Sequence, residues 1–233
     1  MKIKDFFLMT PKRFKRIMKE QFAKPDGVAG DFFTLAMNVI NFKLYNAVYN
    51  FVGKQEGSKI LDVGFGNGDM LKRLDEKLDN VKLYGVDISD HMVVVATSVN
   101  QEAVDKDRMI LQNASVEDLP YDDGVFDTVY TINTIYFWQD RDKAFSEILR
   151  VLRPGGRFVC AFYSREFFER KKQYMSEDET YYSPRELRDV VSAAGFESPK
   201  IKVVDSKKNM YCLICEKKGN DADADNGHGQ EQL

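Results

Sequence analysis

Three glycines spaced two apart, Gly64, Gly66 and Gly68, follow the apolar run Lys59-Ile60-Leu61-Asp62-Val63 and precede a helical pattern at Met70, Leu71, Leu74 and Leu78. Such a junction between a strand and a helix has a definite chemistry. Glycine tolerates positive φ and leaves the backbone open to close approach. The helix beyond it presents unpaired N–H groups and a partial positive charge. The spacing therefore marks a nucleotide-type cofactor site at the carboxyl end of a first strand, where open parallel sheets bind their ligands. Asp87 ends a second strand, in Tyr84-Gly85-Val86-Asp87-Ile88-Ser89, about 20 residues beyond the turn. Right-handed crossovers bring that strand end beside the glycines. A carboxylate there accepts from both hydroxyls of a ribose in charge-assisted bonds. Together these features establish an adenosine site without identifying the cofactor.

The glycine spacing narrows the choice. Dinucleotide enzymes use Gly-x-Gly-x-x-Gly, whose third glycine lets helix and strand pack closely, whereas this chain has Gly-x-Gly-x-Gly with Asp62 inside the strand end. Further on stand Asn113-Ala114-Ser115-Val116-Glu117-Asp118-Leu119-Pro120-Tyr121-Asp122-Asp123-Gly124-Val125-Phe126-Asp127 and then Ile148-Leu149-Arg150-Val151-Leu152-Arg153-Pro154-Gly155-Gly156-Arg157-Phe158. With these four ordered features the chain resembles the class I S-adenosylmethionine (SAM)-dependent methyltransferases. The likeness is to the branch holding the quinone-biosynthesis methyltransferases and their small-molecule relatives, and it covers residues 58–162 well and the carboxyl-terminal strand pair loosely.

The resemblance implies an α/β fold with a Rossmann-like, doubly wound, seven-stranded sheet, mostly parallel with an antiparallel carboxyl-terminal strand. It implies SAM as cofactor and a small molecule as methyl acceptor. Cofactor contacts then fall to Asp62, Gly64, Phe65, Gly66 and Gly68 along the methionine and ribose, to Asp87 and Ile88 at the ribose, and to Ser115 and Val116 at the adenine. Relatives commonly place Asp-Ala where this chain has Ser115-Val116, so a charged adenine contact is missing. The segment Thr131-Ile132-Asn133-Thr134-Ile135-Tyr136-Phe137-Trp138 emerges from the fourth strand towards the reactive methyl. Asn133, a further cofactor contact, and Thr134 are pocket candidates. Tyr136 and Trp138 are candidates too, with a packed connection as the competing reading. The segment is not the Asn/Asp-Pro-Pro-Tyr/Phe signature of enzymes that methylate base amines in nucleic acid. No acid or base stands out, since His91 and His228 are the only histidines, and orientation alone contributes ~7–11 kcal/mol to such a displacement.

The elements that must position these residues follow from the pattern of the chain. From residue 58 strands and helices alternate: a helix near 68–79, a strand at 81–86, and a helix that Ser89 caps and that runs to about Asp105. Strands at 109–111, 125–131 and 157–162 follow, with a helix at 141–152 before the last. Ser183-Pro184-Arg185-Glu186 is a capping-box start, and 200–204 with 210–216 read as a strand pair. Residues 164–182, polar and aromatic, read as a mobile cover.

Before this core, residues 1–57 form a helical cap. A helix opened by Pro11 carries a basic face, and a second runs from Asp31 to about Val52, with Asn38, Asn41, Tyr45 and Tyr49 as a polar stripe over the site. Two readings of the basic helix stand: packing with a solvated face, or a lid whose aromatic residues, with Phe167, Phe168, Tyr181 and Tyr182 of the insert, close on a planar or lipophilic acceptor and whose charges touch anionic membrane surfaces. The tail, 217–233, has almost nothing apolar and reads as disordered.

The chain has 233 residues, 43% hydrophobic and 30% charged, with a net charge of −3, which gives no global field for nucleic acid. No apolar run approaches the ~20 residues that span a bilayer. Three cysteines fit a reducing cytoplasm, and Cys212 and Cys215, three apart in a strand, point to opposite faces. No metal site is expected, and the oligomeric state is not encoded in any of these features. The alternatives to methyl transfer are a SAM-binding regulator without turnover and an NAD-dependent oxidoreductase, the latter disfavoured by the glycine spacing.

Overall fold

The computed structural model describes residues 41–52, 56–172 and 175–219. The first part of the cap, 1–40, and the tail beyond 219 lie outside the described residues. In chain order the elements are helix α1 (41–51), β1 (Lys59–Val63), α2 (Asp69–Asp75), β2 (Lys82–Asp87), α3 (Asp90–Val99), α4 (Gln101–Asp105), β3 (Met109–Asn113) and β4 (Phe126–Ile132). A 3-10 turn (Ile135–Phe137), α5 (Arg141–Val151), β5 (Leu152–Tyr163), α6 (Arg165–Arg170), α7 (Pro184–Ala193), β6 (Glu197–Asp205) and β7 (Met210–Glu216) complete them.

The strands form a seven-stranded sheet in the order β3-β2-β1-β4-β5-β7-β6. All neighbours up to β5 are parallel, while β7 runs antiparallel to both β5 and β6. This is the expected architecture. The strand order reverses between β1 and β4, and that switch point opens a crevice at the carboxyl ends of the strands. Ile60, Leu61 and Val63 of β1 are buried, as a central strand covered on both faces requires. On α5, Ala144, Phe145, Ile148 and Val151 are buried, the spacing of one helical face. Leu44, Val48 and Val52 join the same buried cluster as the sheet, so α1 is built into the core.

Several boundaries differ from the sequence reading for identifiable reasons. The helix begun at Ser89 breaks at Asn100, whose carboxamide donates to the carbonyls of Ala96 (2.9 Å) and Gly68 (3.2 Å). β5 begins at Leu152, because Pro154-Gly155-Gly156 is taken up as a register shift against β4 instead of standing as a separate turn. The stretch 164–182 is no mobile cover in its described part. Phe168 is fully buried and stacks on Tyr136 (5.0 Å between centroids) and Tyr181 (4.3 Å). The Thr180 N–H donates to the Tyr136 carbonyl, and Arg165 donates to the Tyr181 carbonyl at 2.9 Å. The capping box at Ser183 and Glu186 forms as expected.

Candidate functional site

The crevice holds a cavity of about 260 Å³ walled by the ends of four strands and by α1. From β1 come Asp62 and Val63, followed by Gly64, Phe65 and Gly66; from β2, Asp87 and then Ile88; from beyond β3, Ser115, Val116 and Glu117. β4 leads into Asn133, Thr134, Phe137 and Trp138, and Asn41 and Tyr45 close the wall from α1. Nearly every residue chosen from the sequence is therefore brought to one place.

The turn after β1 is built by local sterics. Gly64 adopts φ +77°, and a Cβ there would stand 2.4 Å from Thr134 Cγ2, so this glycine admits the Thr134 side chain as much as any ligand. Gly66 also has positive φ, +55°, and its N–H donates to Asp87 Oδ2 at 2.9 Å. The other Asp87 oxygen accepts from the Ser89 N–H, again at 2.9 Å. The carboxylate thus braces the glycine turn from the neighbouring strand end.

Asp62 lies in register with Tyr130, whose hydroxyl donates to it at 2.7 Å. Burial raises the Asp62 carboxyl to about 8, the Tyr130 hydrogen bond opposes the rise, and the Asp87 charge adds to it. Burial, with Asp69 and Asp62 adding, also holds the Tyr45 hydroxyl well above the usual tyrosine range. Arg73 sits 5.6 Å from the Tyr45 ring centroid and pairs with Asp69, tying α1 to α2. At the far wall, Glu117 accepts from the backbone N–H groups of Gln139 (2.8 Å) and Asp140 (2.9 Å). It joins the loop after β3 to the loop after β4.

Residues 61–160 match the family described as a methyltransferase domain. An uncharacterised methyltransferase of Bacillus subtilis, YdaC, is 29% identical over 72% of this chain and 88% of its own length. The demethylmenaquinone methyltransferase of Symbiobacterium thermophilum is 38% identical over 48% of this chain and 45% of its own. Across its matched core, residues 61–160, the chain is a class I SAM-dependent methyltransferase. Its cofactor is SAM. Several other curated relatives that it matches are spanned over only 38% to 47% of their length, and one over 67%. In fold it is similar to a chain of the complex between the Haloferax volcanii Trm112 methyltransferase activator and a methyltransferase, with a TM-score of 0.72, 21% identity, and coverage of 81% of this chain and 95% of that one.

The geometry of the methyltransferase fits the needs of SAM. Asp62, Asp87 and the open backbone of Gly64 and Gly66 share the cavity with the rings of Phe137 and Trp138, a set of groups chemically suited to hydroxyls, an ammonium and a sulfonium. Two sequence candidates fall outside the cavity. The Tyr136 ring is fully buried, and its hydroxyl is engaged by the backbone of Tyr163, accepting from N–H at 2.6 Å and lying 2.9 Å from the carbonyl. Gly68 caps α2 with φ +76°, and a Cβ there would lie 2.6 Å from Asn100 Nδ2 and 2.8 Å from Ala96 Cβ. Its smallness serves the packing of α2 on α3. Gly68→Val is therefore expected to destabilise the protein by about 1–3 kcal/mol as overpacking does. Chemical denaturation checks this, and an unchanged midpoint with weakened cofactor binding would return Gly68 to the site.

Among the insert aromatics, Phe167, Phe168, Tyr181 and Tyr182 pack on the core and do not line the cavity. Sequence reasoning passed over Glu117, Asn67, Met70, Phe137 and Gln139 as wall residues. Phe137 had a usable signal, since it lies between two chosen positions on the same strand exit. Asp127 serves the fold, accepting from the Lys59 N–H (2.8 Å) and Arg153 (2.5 Å).

Proposed function

We propose that this methyltransferase methylates a small acceptor of planar or lipophilic character that enters against Tyr45, Phe137 and Trp138. The observation that carries this reading is a cavity in which carboxylates from two strand ends share the wall with the rings of Tyr45, Phe65, Phe137 and Trp138. SAM supplies an electrophilic methyl on a sulfonium. Asp87 accepts from the ribose hydroxyls, while Gly64 and Gly66 let the backbone come close. Ser115 and Val116 meet the adenine edge with Ile88 beside it. Asp62 accepts from the methionine ammonium, and the ring faces stabilise nearby positive charge while excluding water. The wall residues orient the partners, and orientation contributes ~7–11 kcal/mol to such a displacement.

The same reading sets the protein in the cytoplasm without a nucleic-acid partner. Cys160, Cys212 and Cys215 are free and buried, as in a reducing compartment. No helix of the described residues is long and apolar enough to cross a membrane. Calorimetric titration is expected to give an isotherm with SAM and with S-adenosylhomocysteine (SAH) and none with NAD. A screen of aromatic and lipophilic acceptors is then expected to release SAH only when an acceptor is present. SAM binding without transfer to any acceptor would favour a regulator.

Asp62 makes the binding pH-dependent. In the cofactor-free fold its carboxyl keeps a proton up to about pH 8, against an ordinary value of 3.8. The folded state thus holds more protons than the unfolded chain between these values. Stability from this group is full below the lower value and is lost as pH rises through the upper one. An ammonium favours the ionised carboxylate, so cofactor binding expels the proton. SAH affinity is expected to rise between about pH 6 and 7.5, by at most about tenfold per pH unit. Calorimetry in buffers of different ionisation enthalpy reads the released proton. Asp62→Asn should flatten the profile, and a flat profile in the unaltered protein would remove Asp62 from the ammonium contact.

A further inference from the structure

Glu117 joins two loops through one of its oxygens, and the cofactor contacts above make no use of the other. The loop after β3 gives Ala114, Ser115, Val116 and Glu117 to the cavity wall, and Glu117 alone among them is charged. Its Oε1 accepts from the backbone N–H groups of Gln139 (2.8 Å) and Asp140 (2.9 Å). Asp140 is itself fixed, since its side chain caps α5 by accepting from the Lys143 N–H at 3.0 Å. Two backbone donors on one oxygen therefore set the orientation of the carboxylate. Among the described residues no donor reaches Oε2, and the side chain is half-buried at the cavity wall. Ser115 Oγ is drawn into the same loop, accepting from the Glu117 N–H at 3.2 Å.

We propose that Glu117 Oε2 accepts a hydrogen bond from the exocyclic amine of the cofactor's adenine, and so makes the site selective for a 6-aminopurine. The inference rests on the methyltransferase reading above and adds the residue that reads the base. Ser115 and Val116 bring no charge to the adenine edge, and the same loop supplies one at the next position.

The argument is one of donors and acceptors. A carboxylate only accepts. Adenine offers it an N–H at position 6, whereas a 6-oxo purine offers an oxygen, which would set two acceptors together with no proton between them. The ring nitrogen reinforces the choice. N1 of adenine accepts from a backbone N–H such as that of Val116, but N1 of a 6-oxo purine carries a proton and meets a donor with a donor. A hydrogen bond to an ionised acceptor is also roughly twice as strong as one between neutral groups, so the base is read mainly through its amine.

The test uses the full chain and three ligands that differ at position 6 of the purine. These are SAH, its 6-deamino analogue, which keeps N1 as an acceptor, and S-inosylhomocysteine, which carries an oxygen there. Calorimetry gives each dissociation constant in the unaltered protein, in Glu117→Gln and in Glu117→Ala, with melting temperatures taken alongside. The unaltered protein is expected to bind SAH roughly 10- to 150-fold more tightly than the 6-deamino analogue, the range for a hydrogen bond to a charged group. S-inosylhomocysteine should bind more weakly still. In Glu117→Gln the two backbone N–H groups hold the amide oxygen, so the amide nitrogen, a donor, turns to the ligand. The preference for SAH over the 6-deamino analogue should then fall to about threefold or less, and the gap between SAH and S-inosylhomocysteine should narrow by about tenfold or more. Glu117→Ala should lose the preference as well, with a lower melting temperature from the two N–H groups left unpaired.

A residue that only joined the loops would weaken all three ligands by the same factor on removal, because its effect would not couple to position 6. An unchanged preference in the Glu117 variants therefore overturns the proposal and leaves Ser115 or Gln139 to read the amine. Equal binding of SAH and the 6-deamino analogue by the unaltered protein overturns it too. Failure of the unaltered protein to bind SAM or SAH is a different result, and it strikes the methyltransferase reading itself.

Discussion

Gly66→Val is expected to reduce SAM affinity by about a hundredfold or more, equivalent to about 3 kcal/mol, while the sheet stays folded. Gly66 lines the cavity at φ +55°, and its N–H reaches the Asp87 carboxylate. A β-branched residue there is strained by about 1–2 kcal/mol and sets methyl groups where backbone must approach the cofactor. The strain alone would lower the melting temperature by about 2–8 °C. SAH calorimetry beside far-ultraviolet circular dichroism separates the two effects. A folded variant with retained affinity would remove Gly66 from the contact. Gly64→Val should fail differently, because its Cβ would meet Thr134 at 2.4 Å within the protein itself. The two glycines share a motif and are small for different reasons.

That difference shows where the sequence was legible. The parallel sheet and the gathering of strand ends on one cavity follow from alternation, handedness and the glycine turn, which backbone geometry enforces, whereas the antiparallel β7 was implied by the family resemblance. Asp62, Asp87, Ser115, Val116 and Asn133 could be chosen because they sit at strand ends, and strand ends converge. Gly68 and Tyr136 could not be sorted by spacing. Gly68 has the same motif position in either role, and only the approach of Asn100 and Ala96 from α3 reveals packing. Tyr136 stands three residues beyond Asn133, and its exclusion depends on the Tyr163 backbone at the end of β5. The aromatic insert was misread for a related reason. Polar composition suggested a mobile cover, but Phe168 and Tyr181 find Tyr136 as a partner, a contact that no local pattern encodes. The asparagine stripe of α1 was partly legible: Asn41 and Tyr45 line the cavity, whereas Tyr49 turns towards Lys77.

Asp87→Ala is expected to weaken SAM binding by about 1.5–3 kcal/mol, the range for hydrogen bonds to a charged group, or roughly 10- to 150-fold. The structure complicates the reading of such a loss. The carboxylate accepts from Gly66 and Ser89 N–H groups, so its removal also loosens the turn and the start of α3. Affinity could fall without any ribose contact. The two causes part company when the ligand is varied together with the protein. SAH and its 2′,3′-dideoxy analogue should differ strongly in affinity for the unaltered protein and hardly at all for Asp87→Ala, because the groups removed are partners and their deletions are not additive. If the hydroxyls matter equally in both proteins, Asp87 only braces the turn, and ribose recognition must lie elsewhere on the cavity wall.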